Sequence, residues 1–301
     1  MGIKNGTRVF AGNFILVWKH LLFLLFTFLV SLSVFMLAAT SVYNLLKTSG
    51  WVASVTDMLE SVYASPNEFA ANFSSVATNL FFILKNNFSA LWPSYLLCIL
   101  VVLLLPSFLL NIGQYALGAV LYNRTKSLLN KSYFLTTVGT LSRSVVYALI
   151  KMAIGVPFVI ILLCIGYGYG VLANNWLNAT LLLPILIMLI ILVLAIKHTF
   201  LIGFLPEAVS ENGSVGAAFG RALLEYTKDF GRKLLHYFAL FIVEFCLVLF
   251  ISLFSVGVGL LIAFPSVCVL NAACSFCVYY AHKKENFYAG EGIIIKPIIQ
   301  Q

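Results

Sequence analysis

Met152 to Ile196 is a run of 45 residues without one Asp, Glu, Lys or Arg. A soluble helix or strand alternates apolar and charged positions, so a run of this length fits no surface exposed to water. It is long enough for two helices that each cross about 30 Å of hydrocarbon with about 20 residues. Three further runs have the same character: His20–Leu46, Asn86–Asn123, and Leu234–His282, which is interrupted only by Glu244. Composition agrees, with 62% hydrophobic and 9% charged residues, against about 25% charged in soluble domains. The expected fold class is all-α: a polytopic membrane protein with six transmembrane helices and interfacial amphipathic helices.

The expected crossings are 21–43, 94–122, 146–173, 181–204, 234–255 and 259–281, all in one membrane domain. Asn174–Asn178 and Ser255–Gly259 supply the turns within the two longest runs. The run from Leu21 is longer than a secretory signal core of about 7–15 residues, so it reads as a retained helix. Six crossings put both termini on one side. Sixteen of the 18 Lys and Arg residues then share that side, from Lys4, Arg8 and Lys19 to Lys283, Lys284 and Lys296, while Lys47 and Lys85 face the other. By the positive-inside rule the termini are cytoplasmic, and Trp51, Trp92 and Trp176 fall at outer boundaries. The net charge of +8 is thereby explained by loop placement, with no run of basic residues calling for nucleic acid.

Outside lies the segment 47–93. Phe69, Phe73, Val76, Leu80, Leu84 and Leu91 recur at helical spacing, and Val52, Val55, Leu59 and Val62 form a shorter stripe. Two amphipathic helices are expected, roofing the bundle or lying on the outer leaflet. Inside, the segment 206–233 and the stretch before the first crossing read as interfacial helices. They repeat: Arg8, Lys19, Leu21 and Leu22 match Arg221, Arg232, Leu234 and Leu235 at an offset of 213, and Pro106 and Pro265 each precede a cation (Arg124, Lys283) by 18. Hairpins 1–2 and 5–6 therefore read as a parallel pseudo-repeat, which helices 3–4 follow weakly.

The loop after the fourth crossing runs Phe204-Leu205-Pro206-Glu207-Ala208-Val209-Ser210-Glu211, continues through Gly216–Leu223 with Arg221, and ends in Phe230-Gly231-Arg232-Lys233-Leu234-Leu235. This resembles a pattern in a broad group of bacterial six-helix integral membrane proteins, which includes the membrane domain of some glycerophosphodiester phosphodiesterases and uncharacterised inner-membrane proteins. The chain departs from the pattern with Arg221 near the usual Ser and Gly231-Arg232-Lys233 for a Lys-Gly step. The resemblance implies the six-helix architecture and a bacterial cytoplasmic membrane. It implies no phosphodiesterase activity, because the chain carries no hydrolase domain.

No nucleophile–base or metal-spaced motif stands out, so an enzyme, a cofactor and a metal are not expected. Cys98, Cys164, Cys246, Cys268, Cys274 and Cys277 lie in apolar runs and read as small hydrophobes. His20, His198, His236 and His282 fall at inner helix ends, where snorkelling is expected. Gly166, Gly168 and Gly170 predict close helix packing. The sharpest polar feature is Glu244, roughly 15 Å into the fifth crossing, where an ionised carboxylate is costly. Asn271, Asn111 and Gln114 fall in the same layer, and Lys151 is placed to reach toward them. Three readings stay open: a polar clasp between helices, a solute or proton site, and an acid met by another subunit. The matching functions are a non-enzymatic transport or lipid-handling component, or an envelope accessory or scaffold protein. Membrane lipids and other membrane proteins are the expected partners, nucleic acid is not, and the oligomeric state is left open.

Overall fold

The computed structural model describes residues 2–61, 66–175, 179–210, 213–290 and 293–296. Six helical segments among them are long and apolar enough to cross a membrane: Ile15–Ala38, Phe88–Ser127, Leu141–Leu172, Leu182–Val209, Phe230–Phe254 and Leu260–Lys283. The chain is a multi-pass membrane protein built as an α-helical bundle. Its exposed apolar side chains, such as Leu22, Phe28 and Leu29, or Ile160 and Leu163, are what hydrocarbon accepts and water does not. The residues divide into two compact units, 1–25 with 108–301, and 26–107.

In the larger unit a short helix α1 (Gly2–Gly12) leads into α2, which starts at Ile15. The second half of α6 (Phe88–Ser127) follows, then α7 (Tyr133–Gly139), α8 (Leu141–Asn175), α9 (Ala179–Leu201), α10 (Phe204–Val209), α11 (Val215–Tyr226), α12 (Phe230–Phe254) and α13 (Leu260–Lys283). Strands β1 (Phe287–Gly290) and β2 (Ile293–Ile295) close it as an antiparallel hairpin, with Phe287 opposite Ile295. Half of the most apolar stretch of α13 is buried against 11% for α2 and α8, so α13 is the post around which this unit packs.

Short helices at the basic end bind the crossings together. The sequence reading laid α1 on the leaflet; it docks instead on α13 and β1. Val9 and Asn13 are buried, and a Cβ on Gly12 would stand 2.2 Å from the Ala289 carbonyl oxygen, so only glycine admits that approach. Ala289 sits where the hairpin register slips, and its carbonyl accepts from Asn13 Nδ2 at 3.3 Å. Likewise α11 rests on α8 and α9. Tyr133 of α7 donates to the Gly113 carbonyl of α6 at 2.9 Å and meets His20 Nδ1 of α2 at 2.9 Å. Each short helix thus precedes one pair of crossings and docks on the pair before it, α1 closing the circle on the last.

The pseudo-repeat is visible in this packing. Shifted by 213, α1 becomes 215–225, and α11 is Val215–Tyr226. Arg124 at the end of α6 reaches back to Asn13 Oδ1 at 3.4 Å. Lys283 at the end of α13 reaches back to Glu225 at 3.2 Å. The third pair, α8 and α9 with α7 before it, joins the same docking order although its sequence match is weak.

In the smaller unit, α2 runs to Ala38, followed by α3 (Thr40–Thr48), α4 (Trp51–Ser61), α5 (Pro66–Asn86) and the first half of α6. The two expected outer helices are α4 and α5. Trp51 Nε1 donates to the Val76 carbonyl at 2.9 Å, and Met58 and Val76 are buried between them. Phe81 and Phe82 lie on the far side, mostly exposed.

Several boundaries move. The first crossing, expected at 21–43, runs 15–38, because a flexible lysine such as Lys19 does not interrupt a helix whose backbone bonds are internal. The second, expected at 94–122, spans 88–127 without a break, since Pro93 lies in the second turn and removes a single ladder bond. Trp176, Leu177 and Asn178 of the expected turn, and Glu211 and Asn212, lie outside the described residues. Gly166, Gly168 and Gly170 pack against nothing: no heavy atom approaches their Cβ positions within 4 Å among the described residues. Their face belongs to the outward surface of α8, where Tyr167 is 77% exposed.

Candidate functional site: two polar pairs in the bundle and an ionic hub at its basic end

Glu244 sits near the middle of α12, and its residue is 7% exposed. Asn271, at the middle of α13, donates from Nδ2 to Glu244 Oε2 at 3.3 Å. The other halves of both groups are unsatisfied: Glu244 Oε1 and Asn271 Oδ1 are buried with no hydrogen-bond partner. An unmet buried polar atom costs about 1–3 kcal/mol, so two in one pair mark a place where something polar belongs.

Lys151 of α8 donates to Gln114 Oε1 of α6, as the sequence spacing anticipates. It stands over the Tyr147 ring at 5.4 Å, near enough to Lys197 and His198 of α9 to interact with both. Lys197 threads past α8 where Gly155 leaves room, its Nζ 3.4 Å from that residue's Cβ position. Among the described residues neither lysine has a carboxylate within salt-bridge distance.

Four of the five expected residues form two pairs, Glu244–Asn271 and Gln114–Lys151. Asn111 is buried on α6 but takes part in neither. Two of the four histidines depart from the snorkelling expectation. His20 is buried on Tyr133, and His198 lies between the rings of Tyr237 and Phe241 at 4.7 and 5.4 Å with Nε2 unpartnered. His236 and His282 are exposed, His236 against its own helix carbonyl at Arg232.

At the basic end the loop motif becomes a hub. Glu207 is 2% exposed. It receives Arg221 Nε on Oε2 at 3.0 Å, and Tyr226 Oη at 3.1 Å and Lys283 Nζ at 3.0 Å on Oε1. Pro206 beside it is buried in the first turn of α10, where a missing N–H costs nothing. Burial and the Glu207 carboxylate push the Tyr226 hydroxyl up, so it stays a neutral donor. The Tyr226 ring fits because Gly203 has no side chain; a Cβ there would lie 2.4 Å from it. Lys283 also reaches Glu225, which His282 meets at 3.2 Å. Burial opposes ionisation of Glu225, but hydrogen bonds and charge from Lys283 and His282 prevail and hold it below the ordinary carboxylate range.

Sequence reasoning placed Pro206, Glu207, Arg221 and Arg232 in one motif. The structure joins Glu207 to Arg221, adds Tyr226, Glu225, His282 and Lys283, and leaves the Arg232 side chain outside the hub. Nothing local could have found Lys283, which lies 76 residues beyond Glu207. The hub accounts for its own charges and reads as structural; the two pairs do not. Comparison with protein-family models, curated proteins and solved structures finds no match for this chain.

Proposed function

We propose that the chain is a non-enzymatic transport or lipid-handling component of a bacterial cytoplasmic membrane, with both termini cytoplasmic. In this reading the Glu244–Asn271 pair receives a polar group or proton within the bundle, and Lys151, Lys197 and His198 line the route toward the basic end. The observation that carries it is the pair of buried, unpartnered oxygens, Glu244 Oε1 and Asn271 Oδ1. Ionisable groups at membrane depth are expensive and mark pathways or relays when their pairing is incomplete. A clasp serving only packing would close both ends of the pair. The kinship with the six-helix group belongs to the same proposal and rests on the 204–235 loop alone.

The test is reconstitution in liposomes with two readouts, internal acidification under an imposed gradient and transbilayer movement of a fluorescent lipid. The wild type shows one of them, and Glu244→Gln lowers it about tenfold with thermal stability unchanged. An inactive wild type, or a Glu244→Gln variant as active as the wild type, overturns the reading.

A second reading has its own observation. Phe81 and Phe82 of α5 are 67% and 62% exposed on a helix that is not among the membrane-crossing segments. Such a face favours an envelope accessory role in which α5 covers a lipid surface or another membrane protein.

A further inference from the structure

A cavity of about 490 Å³ opens at the basic end between α6, α7, the start of α8 and α10. Its polar lining includes Tyr122, Asn123, Lys131, Thr136 and Arg143, and no carboxylate is among its lining residues. Its cations are not spent elsewhere: among the described residues neither Lys131 nor Arg143 forms a salt bridge. The guanidinium of Arg143 is held in place by Nη2, which donates to the carbonyls of Ala208 and Gly213, each at 3.2 Å. Nε and Nη1 remain as separate charged donors, each able to give a single N–H bond to an anion. Tyr122 Oη accepts from Lys126 Nζ at 2.7 Å, which leaves its own proton to donate.

The rim is apolar. Leu135 lines the cavity and is 75% exposed, with Val138 and Leu141 exposed beyond it. Leu141 is also where the third crossing begins, so the mouth lies at the level where headgroups meet hydrocarbon. On the bundle side the cavity is stopped by packed rings: Tyr115 on Tyr147 at 5.5 Å, and Tyr147 on Phe204 at 4.7 Å. It is therefore separate from the Glu244 pair.

We infer that this cavity binds the phosphate of an anionic glycerophospholipid from the surrounding leaflet, with Arg143 and Lys131 on the phosphate and the acyl chains leaving over Leu135. The charge calls for an anion, the separate donors of Arg143, Lys131 and Tyr122 for the several oxygens of a phosphate, and the apolar rim for a ligand with a hydrocarbon tail. The site stands whether or not Glu244 carries a solute.

The experiment titrates the purified full chain in detergent with phosphatidylglycerol, phosphatidylcholine, inorganic phosphate or glycerol 3-phosphate, reading bound lipid by native mass spectrometry and the apparent melting temperature. Phosphatidylglycerol binds and stabilises; phosphatidylcholine binds at least about tenfold more weakly, and the soluble phosphates do not displace the lipid. Lys131→Gln and Arg143→Gln each weaken phosphatidylglycerol about tenfold and leave phosphatidylcholine unchanged. Lys131 is exposed, so its variant keeps the test valid if loss of Arg143 disturbs the Ala208 and Gly213 contacts. Phosphatidylglycerol binding unaffected in Lys131→Gln, equal binding of both lipids, or displacement by inorganic phosphate each overturns the assignment. The Glu244→Gln variant binds phosphatidylglycerol like the wild type, which separates this outcome from that of the transport test.

Discussion

Replacing Glu207 by Gln tests whether the basic end is held by ionic chemistry. The substitution keeps the volume of a side chain that is 2% exposed and takes three donors on two oxygens. The amide offers one acceptor oxygen. Turned one way, its NH₂ faces Arg221 Nε; turned the other, it faces Tyr226 Oη and Lys283 Nζ. At least one donor meets a donor in either rotamer. Hydrogen bonds to charged groups contribute about 1.5–3 kcal/mol each. Arg221 and Lys283 are 31% and 30% exposed, so water recovers part of their loss, and the net cost is about 2–3 kcal/mol. At roughly 2–4 °C per kcal/mol for 150–250 residues, the apparent melting temperature in detergent falls by about 4–12 °C. Glu225→Gln is the control. Its side chain is 35% exposed, and its loss costs under about 1 kcal/mol. A Glu207→Gln shift below about 2 °C, or one no larger than that of Glu225→Gln, refutes the assignment of the hub as the clamp at this end.

Acidification isolates the Glu225 contribution. Because its pKa is lower folded than unfolded, its stabilisation is complete above the ordinary carboxylate value of about 4.3 and is lost as pH falls through the depressed folded value. Melting temperatures of wild type and Glu225→Gln therefore differ at neutral pH and converge below about pH 4; curves that stay parallel contradict the pairing. Orientation is checked with single cysteines at Asn79 and Lys228, both exposed, in a background without native cysteines. In intact cells an impermeant maleimide labels Asn79→Cys only, and labelling of both positions breaks the topology.

The crossings were legible because hydrocarbon imposes one rule, absence of charge over about 20 residues, which Met152–Ile196 obeys without exception. Their ends were not, because helices continue past the last apolar residue for as long as backbone bonds are met. The rise of α6 through Pro93 and the start of α2 at Ile15 are of this kind. Glu244 with Asn271 and Lys151 with Gln114 were legible as a layer by depth alone. Which of them meet depends on rotation about each helix, and that is set by packing, so Asn111 shares the layer without joining either pair. The β1–β2 hairpin carried a signal that was passed over: Gly290 and Gly292 followed by Ile293-Ile294-Ile295 is a glycine link into a β-branched run. The lipid-phosphate cavity was hidden in plain charge, since Lys131 and Arg143 counted only as markers of sidedness.

The closure of α1 onto α13 has a consequence for how the chain is made. Gly6 lies against Cys274, so the partner of α1 is synthesised 268 positions after it. At about 5–20 residues per second, the 268 residues between them take roughly 13–54 s to translate. Throughout that time Val9 and Phe10 have no seat in the protein. An amphipathic helix in that position is suited to the lipid surface until α13 is made, and its seat in the bundle exists only from then on.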